Sequence, residues 1–307
     1  MNPISALLAA LAALTGVYVV GWGREVAQAR REAAAATPST DVHAPTPTQI
    51  GVGAVTNFFD TLGIGSYATT TALFRALRLV PDRLIPGTLN AGHTLPTVVQ
   101  AFIYTSIIPV DVLTLVSMIA AAVLGAWLGA GVVCRWPKQK VQIGMGLALL
   151  AAAALMFMTQ MKLLPGGGAD LGVRGVRLVI ALGGNFMLGA LMTLGIGLYA
   201  PCMILVSLLG MNPTAAFPIM MGSCAFLMPV GSLRFIRNRC YSLRPAIGLA
   251  LGGIPGVLLA AYIVKSLDLG TVRWLVIVVV IYTAITLLYS GFSGASAESA
   301  ATLEAEA

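Results

Sequence analysis

Charge is what this 307-residue chain has least of: Asp, Glu, Lys and Arg together make up 9% of it. A soluble domain carries about 25%. With 58% hydrophobic residues and a mean hydropathy of +0.91, the polar surface is too small to cover a water-soluble fold. The same composition excludes a disordered or collagen-like chain. Histidine is scarce, with only His43 and His93. The four cysteines (Cys134, Cys202, Cys224 and Cys240) show no CxxC or other metal spacing. Cys134 and Cys240 lie beside basic loops, and Cys202 and Cys224 lie inside apolar runs, so no disulfide is expected. No cofactor or metal signature is present. The net charge of +7 would suggest nucleic acid in a soluble protein. Here the basic residues cluster in short loops between apolar runs, which is how membrane orientation is encoded, and no nucleic-acid partner is expected.

What the chain has in abundance is long apolar stretches, continuous rather than alternating, which point to a helical, polytopic membrane protein and away from a β-barrel. Residues 4–22 form the first. MNPIS before it has no basic n-region, and Arg24, Arg30 and Arg31 follow it. It reads as a retained anchor within 1–23 with the N-terminus outside, the alternative being a signal cleaved near Ala33–Ala36. Residues 24–49 read as a linker, charged first, then Pro/Thr-rich and irregular, with His43 as a solvated residue. Eight further segments follow near 50–76, 86–108, 112–134, 141–161, 176–209, 213–233, 245–264 and 272–291, and an acidic tail closes the chain at 292–307.

These eight segments contain a repeat. TLGIGSYAT at 61–69 returns as TLGIGLYAP at 193–201, an offset of 132 that Pro86 and Pro218 preserve. GAWLGA at 125–130 resembles GIPGVLLA at 253–260. Residues 50–161 and 174–291 are therefore read as two copies of a four-segment unit. If every segment crossed the membrane, cytoplasmic loops would hold 10 basic residues and outer loops 8. If 50–76 and 176–209 are instead re-entrant hairpins, the inner side collects 13, from Arg24 through Arg244, and the outer side keeps Lys162, Arg174, Arg177, Lys265 and Arg273. The second arrangement satisfies the positive-inside rule better. It gives each unit three crossings and the pair an inverted topology, as in many secondary transporters.

Gly63-Ile64-Gly65 and Gly195-Ile196-Gly197 are poor helix material. About twelve residues on either side, at ~1.5 Å each, span roughly 18 Å and place the break near the bilayer midplane. Irregular backbone at that depth belongs in a protein-lined cavity. The half-helices that start at Ser66 and Leu198 would direct their free N–H groups into it, a ready anion site. Polar residues follow each break: Ser66, Tyr67, Thr69, Thr70 and Thr71 after the first, Tyr199 and Cys202 after the second. The glycines of GAWLGA and GIPG read instead as close helix packing.

With these residues in view, the chain resembles the TauE/SafE sulfite exporter family of small-anion permeases, over roughly 50–291. That family's fuller Gly-Gly-Gly-Phe-x-x-x-Pro string is here Gly63-Ile64-Gly65-Ser66-Tyr67 and Gly195-Ile196-Gly197-Leu198-Tyr199, with Pro201 kept in the second copy and Thr69 in the first. The resemblance implies export or import of sulfite, an organosulfonate or a related sulfur anion across the bacterial inner membrane, without enzymatic activity.

Asp60 lies three residues before the first break, where a charge at membrane depth marks function; its repeat counterpart is Met192. It is read as a proton carrier or gate, or as a neutral Asp bonded to Asn57 or nearby backbone. His93, with Asn90 one turn earlier, could bind the anion or exchange a proton, or be a bonded core histidine. Ser223 and Cys224 stand near its place in the second copy, and Cys202 reads mainly as packing. A Ser66–His93 hydrolytic dyad is disfavoured, since Ile64-Gly65-Ser66-Tyr67-Ala68 lacks the Gly-x-Ser-x-Gly elbow. The expected partners are a small anion and the lipid bilayer, with a homodimer left open. A permease for another small solute and a non-transporting scaffold are the rival readings.

Overall fold

The computed structural model describes residues 3–35, 44–62, 65–105, 108–163, 167–195, 197–262, 274, 277–278 and 280–293. Among these the chain is all-helical, apart from one isolated bridge between Asp170 and Met211. The helices are α1 (Pro3–Ala35), α2 (Pro47–Thr61), α3 (Ser66–Ala76), α4 (Ile85–Thr105), α5 (Val112–Val133), α6 (Lys138–Gln160), α7 (Gly175–Met192), α8 (Tyr199–Leu208), α9 (Ala216–Arg237) and α10 (Leu243–Tyr262). Val280–Ser293 forms α11. Six of them, α1, α5, α6, α7, α9 and α10, are long and apolar enough to cross a membrane. Their outward faces carry exposed Val20, Leu124, Leu128, Val179 and Leu251, suited to lipid rather than water. The protein is a multi-pass helical membrane protein.

Helix α1 does not stop at the end of its apolar run. It continues to Ala35, because REVAQARREAAAA contains no Gly or Pro and consists mostly of strong helix formers. The irregular linker expected from residue 24 is thus helical in its first part. His43 and the rest of 36–43 lie outside the described residues, as do Lys265, Arg273 and the tail from residue 294. Helix α2 opens earlier than expected, at Pro47, because Thr46 and Gln49 form a capping box with each other's backbone.

Close approaches give the direction of each helix. Gly248 of α10 packs on Gln49 of α2, and Gly253 of α10 packs on Asn57, where a Cβ has no room. The two helices therefore run parallel. Helix α4 also runs parallel to α10, with Thr88 Oγ accepting from Ser242 N–H at 2.9 Å and Pro96 packed on Gly253. The N-terminal ends of α2, α4 and α10 thus meet at one end of the bundle. At the other end the same relation holds for α5, α7 and α9. Asn185 Nδ2 donates to the Met118 carbonyl at 2.7 Å, and Gly125 sits against the Phe186 carbonyl. Gly222 of α9 packs on Ile119 of α5, and Gly131 on Arg234. The glycines of GAWLGA and GIPG are packing residues, as their spacing suggested.

One expectation fails at the end of the bundle where α5 and α9 finish. Cys134 and Cys240 are joined in a disulfide with their Cα atoms 5.8 Å apart. Spacing in sequence gave no sign of it, because the partners are 106 residues apart and only the parallel course of α5 and α9 brings their ends together.

Candidate functional site

Helix α2 ends at Thr61 and α3 starts at Ser66; α7 ends at Met192 and α8 starts at Tyr199. Gly63, Ile64 and Ile196 lie outside the described residues. Gly65 and Gly195 take φ values of +87° and +101°, a left-handed region that side chains rarely adopt, and so turn the chain out of α2 and α7. The two breaks face one small, partly open cavity. The first break supplies Asp60, Gly65, Ser66 and Tyr67 to its wall, and the second supplies Met192, Gly197, Leu198 and Tyr199. Thr97 of α4 and Cys224 of α9 complete it.

Asp60 is buried and fully engaged. Its Oδ1 accepts from the Ser66 N–H at 2.6 Å, and its Oδ2 accepts from Gln100 Nε2 at 2.9 Å. The carboxylate therefore caps α3 from within the chain, where a negative group is favoured. Of the two alternatives for Asp60, a bond to nearby backbone is present, but Asn57 is not its partner. Gln100 also donates to Thr61 Oγ at 3.0 Å and accepts from the Tyr199 hydroxyl at 2.6 Å. The start of α8 is thereby linked through one side chain of α4 to the carboxylate at the start of α3.

His93 sits behind this wall. Asn57 turns its Nδ2 to the Gly53 carbonyl at 2.8 Å, so its Oδ1 faces His93 Nδ1 at 3.1 Å. That fixes the proton on Nδ1 and leaves Nε2 to accept from the Thr70 hydroxyl at 3.0 Å. Both ring nitrogens are taken, and the ring stacks on Tyr67 with centroids 5.7 Å apart. His93 does not line the cavity, so the structure gives it the core role rather than direct contact with an anion.

Several other sequence candidates also stand away from the cavity wall. Thr69 Oγ donates to the Gly65 and Ser66 carbonyls, closing the first turn of α3. Asn90 Nδ2 donates to the Pro86 carbonyl within α4. Ser223 Oγ accepts from Asn185 Nδ2 at 2.9 Å. Cys202 is a fully buried thiol in the second turn of α8 and fits the packing role. Ser66, Tyr67, Gly65, Gly197 and Tyr199 are at the cavity as expected.

Gln100, Thr97 and Asn185 were not singled out from sequence. The first two had a readable signal: Asn90, His93, Thr97 and Gln100 follow one another at three- and four-residue steps and so share a face of α4.

The second break differs from the first in its polar groups. The residue preceding α8, Leu198, provides no side-chain cap. Across the cavity the Tyr67 hydroxyl is buried with no hydrogen-bond partner. Neither Lys nor Arg lines the cavity. Among the described residues no three His, Cys, Asp or Glu side chains gather as metal ligands. Comparison of the chain with protein-family models, curated proteins and solved structures returns no match.

Proposed function

We propose that the protein is a secondary transporter that moves a small anion across the membrane by alternating access between two inverted repeats. The observation that carries this reading is the convergence of two helix breaks, from distant parts of the chain, on one small cavity provided with hydrogen-bond donors. Inverted halves are supported by the packing pattern. The starts of α2 and α4 share one end of the bundle, so α2 and α3 enter and return as a hairpin; α7 and α8 do the same from the opposite end. The hairpin of the first unit packs on α10 of the second, and that of the second packs on α5 of the first, as a two-fold exchange requires.

Held by a helix start and a hydroxyl rather than a salt bridge, the anion is bound modestly and released readily. The resemblance to the TauE/SafE family extends the proposal to a sulfur anion such as sulfite or an organosulfonate and to the bacterial inner membrane. Asp60 is the proposed proton carrier. A protonated carboxyl loses acceptor capacity, which weakens either the bond from Ser66 N–H or that from Gln100 and frees the link to Tyr199. His93, with both nitrogens engaged, holds Tyr67 and Asn57 in place rather than carrying the proton itself.

The test is a thermal-shift panel on the purified protein with sulfite, thiosulfate, sulfoacetate, taurine, sulfate, phosphate and acetate. A ligand at a hundredfold excess over its Kd stabilises the folded state by about 2.7 kcal/mol. A shift confined to sulfur anions, followed by flux of the same anion in liposomes, is the expected result. A shift with carboxylates or phosphate only would keep the transporter and overturn its substrate. Absence of flux for every anion would overturn transport itself.

A further inference from the structure

We propose that the two breaks are unlike half-sites: Asp60 fills the first as a tethered anion, and the transported anion occupies the second, at the start of α8, bonded by the Tyr67 hydroxyl. This deepens the transport reading above and rests on it. The spacing is the same in both halves. Asp60 precedes Ser66 by six residues, and Met192 precedes Leu198 by six. At the first break that spacing lets the carboxylate reach the Ser66 N–H. At the second, the same position carries a thioether, buried at 2% exposure and facing the cavity.

Helix α8 runs from Tyr199 to Leu208, and its first intrahelical bond near the break is from Cys202 N–H to the Leu198 carbonyl at 3.0 Å. The N–H groups before it have no acceptor within the helix. A second, independent group aims at the same space: Tyr67 is 3% exposed, lines the cavity, and its hydroxyl has no protein partner. A buried hydroxyl left without a partner is costly, and an oxyanion oxygen at the α8 start would satisfy it together with the helix N–H groups. The ligand class is a compact oxyanion. One own carboxylate and one guest anion then face each other across the cavity, so the guest is held more tightly when Asp60 carries a proton.

The experiment measures the sulfite Kd of the purified full-length protein for wild type, Tyr67→Phe, Met192→Asp and Met192→Asn, with the melting temperature of each. Tyr67→Phe removes only an unpartnered hydroxyl. The expected result is a melting temperature unchanged or raised, since a costly unpartnered hydroxyl is removed, and sulfite binding weakened roughly tenfold or more, the worth of a hydrogen bond to a charged group. Met192→Asp is expected to abolish sulfite binding by supplying a second tethered carboxylate, while Met192→Asn retains it. If Met192→Asp does not fold, Tyr67→Phe decides alone. Wild-type affinity in Tyr67→Phe, or in a folded Met192→Asp, would overturn the half-site assignment and leave transport standing. Failure of wild type to bind sulfite or any other anion of the panel would overturn the transport reading as well.

Discussion

The two helix breaks are built on nine-residue strings identical at seven positions but differ in the polar groups that meet the new helix starts. In the first, Asp60 and Gln100 satisfy the start of α3 from inside the protein. In the second, Leu198 provides no side-chain cap and the hydroxyl of Tyr67, a residue lining the same cavity, is unpartnered. The two breaks therefore present unlike chemistry to one cavity, and at the position six residues before Ser66 and Leu198 the difference is Asp60 against Met192. Each break turns at one positive-φ glycine, but not at the same place in the string: Gly65 in the first, and in the second Gly195 rather than Gly197, the residue matching Gly65.

The largest test of this contrast is removal of the cap. Asp60→Ala orphans the Ser66 N–H and the Gln100 amide at a buried site, and should lower stability by about 3–5 kcal/mol. Met192→Leu, at the matching position, keeps volume and should cost less than about 1.5 kcal/mol. Thermal unfolding in one detergent compares the two directly, and equal losses would remove the distinction between the breaks.

The next test concerns what holds α5 and α9 together. The Cys134–Cys240 disulfide joins the end of α5 to the loop after α9. Its reduction, or Cys240→Ser, should lower stability by about 2–4 kcal/mol, read as a fall in melting temperature under reducing conditions that the variant does not show further.

A smaller effect is expected from the feature the breaks share. Gly65→Ala and Gly195→Ala place a side chain at positive φ, costing roughly 1–2 kcal/mol each. Gly197→Ala should be near neutral, because its φ is not in that region and a Cβ there meets open space. Equal losses at all three would show that space rather than backbone conformation decides.

The smallest effect lies at the membrane edge. Asp111 caps α5 and pairs with Arg174, whose guanidinium holds its carboxyl well below the usual carboxylate range. Because the folded-state value is depressed, the pair's stabilisation is present above about pH 4, the carboxylate's ordinary range, and is lost as pH falls further. Both side chains are partly exposed, so screening keeps the effect small. Asp111→Asn should flatten only the acid limb of the stability curve.

Much of this was legible in the sequence. The GIG strings announced the breaks, the new helix starts expected at Ser66 and Leu198 fall at Ser66 and Tyr199, and the small residues of GAWLGA and GIPG announced close packing. Asp60 stood out because a charge in an apolar run needs a reason. Its actual partner did not, since Gln100 is 40 residues away and meets it only through the packing of α4 beside α2. The Cys134–Cys240 pair was hidden for the same reason. His93 invited a functional reading by residue type alone, whereas Asn57 and Thr70 occupy both of its nitrogens. Periodicity reports which face a residue shares; it does not report which helix that face meets.

On the proposed function, the paired breaks form the path of a transported anion and Asp60 couples it to protons. Its most direct test is radiolabelled sulfite flux in proteoliposomes, with and without an imposed proton gradient, for wild type and Asp60→Asn. The account predicts gradient-driven accumulation in wild type, and in Asp60→Asn exchange of sulfite for sulfite without accumulation. Accumulation that survives intact in Asp60→Asn, or wild-type flux no greater than that of empty liposomes, would contradict it.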